Sequence, residues 1–273
     1  MKRTVFQLSD RTGITVEALA HSLLTQFEGV EFEAVACPYL DSPEKTREVV
    51  KRINAAARRD AARPLVFCTL VDAELRNIVG ASDGLLIDFF DTFIPPLEAE
   101  LGVRSSHAVG RTHGMGSNSA YKARIDAVNF ALANDDGADP GHYPEADIIL
   151  VGVSRTGKTP TCLYFALQYG IRAANYPLTE EDFVSSALPA PLAAQRQKLH
   201  GLTILPERLQ RIRHERRPDS RYATAAQCQL EVRRAEELYR RERIPFLDTS
   251  TMSIEEIATT IMHRAGLTRR MHA

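Results

Sequence analysis

At 273 residues with a formal net charge of −1, the chain can hold one large domain or two ordinary ones, and it lacks the charge excess needed to coat nucleic acid or an anionic membrane. Its 44% hydrophobic and 25% charged residues are ordinary for a globular protein, and no apolar run reaches the length of a membrane span. Cys37, Cys68, Cys162 and Cys228 are scattered without zinc-ligand spacing, which predicts buried small hydrophobes in a reducing cytoplasm.

In chain order, residues 1–6 open a strand and lack a signal-peptide core, and residues 5–8 complete that strand. Val16, Leu19, Ala20, Leu23, Leu24 and Phe27 follow at helical spacing and are expected on one buried face. Residues 30–36 predict a second strand, and Ser42-Pro43 forms an N-cap and first-turn pair for the next helix. Residues 65–69 and 85–90 are further short apolar runs with helical stretches between them. Repeated β-α-β order predicts a largely parallel sheet covered on both faces. Residues 134–141 are dense in turn formers and read as a linker. A second α/β block follows, with strands expected at 147–151, 173–176, 202–205 and 245–248. Ser253 and Glu256 have capping-box spacing for a last helix. No internal repeat is visible. The expected fold class is therefore two α/β domains, residues 1–138 and 139–273, the second a P-loop kinase-like domain.

That last expectation rests on Gly152-Val153-Ser154-Arg155-Thr156-Gly157-Lys158-Thr159, which matches G-x-x-x-x-G-K-[ST] between a predicted strand and a helix closed by Gly170. The glycines let the backbone curl around phosphate oxygens. Lys158, expected on a solvent-facing loop, brings a positive charge to the terminal phosphates, and the Thr159 hydroxyl can ligate Mg²⁺. The whole stretch, Gly152 to Thr159, is the candidate nucleotide site, with Lys158 and Thr159 as candidate catalytic residues.

Elsewhere, Ser9-Asp10-Arg11-Thr12-Gly13 reads either as an anion site or as a capped βα turn. Residues 102–118 form a long polar loop whose His107 and His113 are suited to proton transfer or phosphate contact, or are simply solvated. Arg208, Arg211, Arg213, Arg216, Arg217 and Arg221 read as phosphate-binding forks or as a solvated helix face. A phosphoryl acceptor needs a base and Mg²⁺ needs oxygen ligands. Asp248 is the candidate for these tasks, with Asp88, Asp91 and Asp147 left open.

Residues 146–161, with the Ser154-Arg155-Thr156 insert and Pro160 after Thr159, resemble the signature of the pyruvate phosphate dikinase / phosphoenolpyruvate synthase regulatory proteins. Similar stretches are Ser9-Asp10-Arg11-Thr12-Gly13, Arg124-Ile125-Asp126, Asn134-Asp135-Asp136-Gly137, Ala173-Ala174-Asn175-Tyr176-Pro177 and Asp248-Thr249-Ser250, so the resemblance spans almost the whole chain. It implies a bifunctional enzyme that uses ADP to phosphorylate a threonine of phosphoenolpyruvate synthase, inactivating it. It also implies removal of that phosphate by phosphorolysis, with inorganic phosphate as substrate, pyrophosphate as product and Mg²⁺ as the expected metal. The protein partner is then the synthase; the N-terminal domain and the 102–118 loop are the candidate docking surface, because the second domain is committed to nucleotide, with no nucleic acid or membrane partner expected and a homodimer left open. Two other classes fit the same residues: a P-loop kinase of a small metabolite, and a non-catalytic nucleotide-sensing module.

Overall fold

Strands this short and apolar, each followed by a helix, can pair only as parallel neighbours with helices packed on both faces. The computed structural model, which describes residues 2–106, 118–184, 187–218 and 220–268, shows this arrangement twice. The chain divides into two compact units, residues 1–114 and 115–273.

The first unit runs β1 (Lys2–Leu8), α1 (Ile14–Leu24), β2 (Glu31–Cys37), α2 (Pro43–Asp60), β3 (Leu65–Cys68), α3 (Ala73–Gly80), β4 (Leu85–Asp88) and α4 (Phe89–Leu101). Its four parallel strands lie in the order β2-β1-β3-β4. Phe6, Leu8, Val66 and Cys68 point to one face and meet Val49, Ile53, Leu75 and Val79 of α2 and α3. Val5 and Phe67 point to the other face and meet Val16, Ala20 and Phe89 of α1 and α4. Ser42 caps α2 as its sequence predicts, accepting from the Lys45 amide. The predicted face of α1 splits in two. Val16 and Ala20 are buried, whereas Leu19, Leu23 and Phe27 are exposed. Helical spacing at i, i+4 describes two stripes equally well, and only one of them reaches the sheet.

The second unit begins with α5 (Asn118–Ala133) and continues β5 (Ile148–Gly152), α6 (Lys158–Tyr164), β6 (Ala173–Pro177), α7 (Ala190–Ala193), β7 (Leu199–Thr203), α8 (Pro206–Arg216), α9 (Ala225–Glu242), β8 (Phe246–Asp248) and α10 (Ile254–Arg264). The strand order is β6-β5-β7-β8, again all parallel. Ile149 and Val151 pack against Leu209, Val232, Ala235 and Tyr239 of α8 and α9. Ile148 and Leu150 pack against Ala127, Cys162, Ile257 and Ile261 of α5, α6 and α10. The capping box is present in full, Ser253 and Glu256 each bonding the other's backbone amide. All four cysteines are buried and free.

Two sequence expectations change here. The division of the chain falls at 114/115 rather than 138/139, because Ala127 and Ala131 of α5 are core residues of the second unit. Residues 134–141 are accordingly not a linker; Asn134 is buried and its carbonyl accepts from the Asn175 amide of β6. The second change concerns repetition. Both sheets have the same strand order, and both first loops carry Arg-Thr-Gly-x-Thr, at Arg11 to Thr15 and at Arg155 to Thr159. In each the glycine, Gly13 or Gly157, lies at positive φ and begins the helix. Five residues are too few to stand out as a repeat until the topology aligns them. His107 and His113 lie outside the described residues. Among the described residues no helix is long and apolar enough to cross a membrane.

Candidate active site

The loop between β5 and α6 turns sharply because Arg155 and Gly157 both take positive φ, 77° and 94°. Gly157 does so without cost, while Arg155 is a side-chain-bearing residue held in a conformation usually left to glycine. Gly152 is required for a different reason. It lies at ordinary strand φ, but a Cβ there would meet Thr156 Oγ1 at 2.7 Å and the Leu202 carbonyl oxygen at 2.9 Å. The curl is pinned from inside by Thr156 Oγ1 donating to the Val153 carbonyl (3.0 Å) and from below by Thr249 Oγ1 donating to the Thr156 carbonyl (3.2 Å). No side chain caps the start of α6, which leaves its first-turn amides for a ligand.

Lys158 is buried, 4% exposed, with Nζ donating to the Val153 carbonyl at 3.0 Å. Burial lowers its pKa to about 8, against the opposing pull of Asp136 and Asp135. The expectation of a solvent-facing lysine is thereby corrected: the ammonium folds back into its own loop.

Asp135 and Asp136 form the acidic wall of the same cavity. Thr159 Oγ1 donates to Asp135 Oδ1 at 2.7 Å, and the Asn175 side-chain amide donates to that same oxygen. Asn175 Oδ1 accepts from the Asp136 amide at 2.9 Å, which holds Asp136 at φ 48°. One buried asparagine on β6 therefore holds the Asp135 carboxylate and the Asp136 backbone beside the loop. Cationic side chains line the cavity too. Arg155, Arg216, Arg217 and Tyr222 complete the lining of a cavity of about 760 Å³, within the size range of ligand sites. Loop glycines, a desolvated lysine, a hydroxyl–carboxylate pair and guanidiniums are the parts that phosphoryl transfer uses.

Comparison with known proteins agrees with this inventory. Residues 5–262 match the family described as kinase/pyrophosphorylase. The chain belongs to the kinase/pyrophosphorylase family. Relatives from Marinobacter nauticus and Pseudomonas putida are each 56% identical to it, over 98% and 99% of this chain and 99% of their own lengths. One from Alkalilimnicola ehrlichii is 56% identical over 99% of this chain and 98% of its own. Each is named as a phosphoenolpyruvate synthase regulatory protein. This membership makes the chain a phosphotransferase-type enzyme.

For a kinase/pyrophosphorylase with this cavity, the predicted residues fall into two groups. Ser154, Arg155, Gly157, Lys158 and Thr159 line it, while Gly152, Val153 and Thr156 shape it from behind. Asp248 is not among the lining residues. Its carboxylate accepts from the Ser250 amide (2.8 Å) and hydroxyl, fixing the turn after β8, whereas Asp135 and Asp136 are the carboxylates that line the cavity. Asp88 caps α4, and Asp147 accepts from the Arg172 amide. The arginine cluster divides four ways, with Arg208 and Arg211 exposed and outside the cavity lining. Arg213 is fully buried, bonded to the Ser154 and Tyr222 carbonyls and to Glu231, and stacked on the Tyr222 ring. Arg221 pairs with Glu180, whereas Arg216 and Arg217 reach the cavity. Sequence reasoning missed the acidic pair because Asn134-Asp135-Asp136-Gly137 has the composition of a turn. The signal available was two adjacent carboxylates in such a turn, on which a phosphate loop depends for metal and base.

Proposed function

We propose that this enzyme phosphorylates a threonine of phosphoenolpyruvate synthase with ADP as donor, and reverses the modification with inorganic phosphate. The observation that carries this reading is the single cavity in which the loop, Thr159–Asp135 and Asp136 meet. The names of its relatives supply the target. In the forward direction the threonine oxygen attacks the β-phosphorus of ADP, the P–O–P bond breaks, AMP leaves, and Asp136 accepts the hydroxyl proton. In the reverse direction a phosphate oxygen attacks the phosphothreonine phosphorus, the ester bond breaks, pyrophosphate forms, and the threonine oxygen recovers its proton. Lys158 and the loop stabilise charge on the transferred group in both directions. Among the described residues no three His, Cys, Asp or Glu side chains cluster as a metal cage, but Mg²⁺ needs only one or two protein oxygens beside substrate phosphates. Thr159 Oγ1 and Asp135, already in contact, fit that need, and the ion would neutralise phosphate charge there. The reaction belongs in the cytoplasm with its substrate.

The test mixes the enzyme with β-labelled ADP or γ-labelled ATP and the synthase and follows the label. Label on a synthase threonine with release of AMP is expected. Asp136→Asn should lower transfer by about 10²–10⁴-fold while ADP still binds, as removal of a general base does. Label on a small molecule, or binding without transfer, would replace this reading with a metabolite kinase or a nucleotide sensor.

A further inference from the structure

The cavity has more cationic capacity than a loop-bound diphosphate uses. Besides Lys158, its lining includes Arg155, Arg216 and Arg217, and none of these three has a carboxylate within ion-pair distance among the described residues. Surface arginines are usually paired or point into bulk water, and these three converge on one enclosure instead. They are also held in fixed relation to the phosphate loop. Arg213, one turn earlier on α8, donates to the Ser154 carbonyl at 3.1 Å and to Glu231 at 2.6 Å, and is fully buried. Tyr222 Oη lies 2.8 Å from Ser154 Oγ, and the Tyr222 ring stacks on the Arg213 guanidinium 4.1 Å away. The end of α8 that carries Arg216 and Arg217 is thus tied to the loop's own backbone. Such a tie sets a constant spacing between two anion-binding places, the condition for aligning two reacting groups.

We propose that Arg155, Arg216 and Arg217 form a second anion subsite, separate from the loop cradle, that takes one dianionic phosphate group while the loop is occupied. The proposal rests on the reading of the loop as a nucleotide site. Guanidinium forks match the oxygens of a phosphate group, and a phosphate monoester or free phosphate presents the same tetrahedral dianion. The two sources here are a phosphothreonine side chain and inorganic phosphate. With this subsite, phosphothreonine and inorganic phosphate occupy the cavity together in the reverse reaction, one in each place, and Asp136 lines the same cavity.

The experiment is calorimetric titration of the intact protein, first with ADP and then, at saturating ADP, with orthophosphate, a phosphothreonine peptide and its unphosphorylated twin. Orthophosphate, the phosphopeptide or both should bind the ADP-loaded protein, and which one binds identifies the source; the unphosphorylated twin should not bind. Arg216→Ala/Arg217→Ala should weaken that second binding at least tenfold and leave the ADP dissociation constant within threefold. Both side chains are exposed, so the fold should survive, and Arg216→Lys/Arg217→Lys should recover part of the affinity. Phosphate that only displaces ADP, or that binds the double alanine variant as well as wild type, overturns the subsite. Failure of ADP to bind wild type overturns the nucleotide reading instead, and arginine-dependent orthophosphate binding to the free protein still decides the subsite.

Discussion

Lys158 and Gly152 show how individual residues set the terms of ligand binding. Burial holds the pKa of Lys158 at about 8, against an ordinary value of 10.5. Because the folded value lies below the unfolded one, the native state loses stability as pH falls from about 10.5 to about 8 and bears the full cost below that. A bound phosphate supplies the missing counter-charge and raises the pKa again. ADP binding at pH 9 should therefore take up close to ~1 proton, and at pH 7 far less. Calorimetry in buffers of different ionisation enthalpy measures this directly, and Lys158→Met should abolish the uptake. Equal uptake at both pH values would show that the proton goes elsewhere. At Gly152 the constraint is space. Gly152→Val drives side-chain carbons into the Leu202 carbonyl and the Thr156 hydroxyl that closes the curl, so it should weaken ADP binding more than Lys158→Ala, which leaves the loop backbone intact. An unchanged ADP affinity in the valine variant would separate this loop from nucleotide binding altogether.

At the scale of elements, the loop depends on a buried side chain of α8 that does not line the cavity. Arg213 joins α8 to Ser154, to the Tyr222 carbonyl and to Glu231 of α9 from a position with no solvent exposure. Removing one partner of a buried ion pair strands the other, which typically costs about 3–5 kcal/mol, whereas removing both with apolar replacements is close to neutral. Arg213→Met should accordingly destabilise the protein by about that amount in urea denaturation, and Arg213→Met/Glu231→Met should recover most of it. Activity should not recover with stability, since the double variant still lacks the tie to Ser154. Recovery of both together would reduce Arg213 to a packing residue. The same logic explains Asn175, which is buried on β6 and holds Asp135 and Asp136 in place by its two amide atoms.

The molecule as a whole consists of two units with one strand order, and the site described lies within the second. A fragment of residues 115–273 keeps α5, the acidic pair and both faces of its sheet covered, so it should fold and bind ADP. A fragment beginning at Tyr143 loses Ala127, Ala131, Asp135 and Asp136 and should fail to fold cooperatively, which circular dichroism melting would reveal. If the N-terminal unit carries the docking surface for the synthase, the 115–273 fragment should bind nucleotide without modifying that enzyme. Modification at the full-length rate would assign docking to the second unit.

What the sequence alone determined was local. The spacing of glycines, lysine and threonine after an apolar run marks Gly152 to Thr159 as the candidate phosphate loop, because each residue answers to backbone geometry or charge within eight positions. The capping residues Ser42 and Ser253 and the parallel character of both sheets were legible for the same reason: each depends on near neighbours or on repeated β-α order. Tertiary structure alone decided what depends on residues far apart in the chain. Whether Lys158 faces water or its own loop is set by what packs over it. The inward stripe of α1 depends on which face meets the sheet. Asp135 and Asp136 become part of the site only when Asn175, some forty residues later, pairs beside β5 and draws them to Thr159. Asp248 is kept out of it by a hydroxyl two residues away. A turn-forming composition is the same in solvent and at an active site; only the strand order brings it to one or the other.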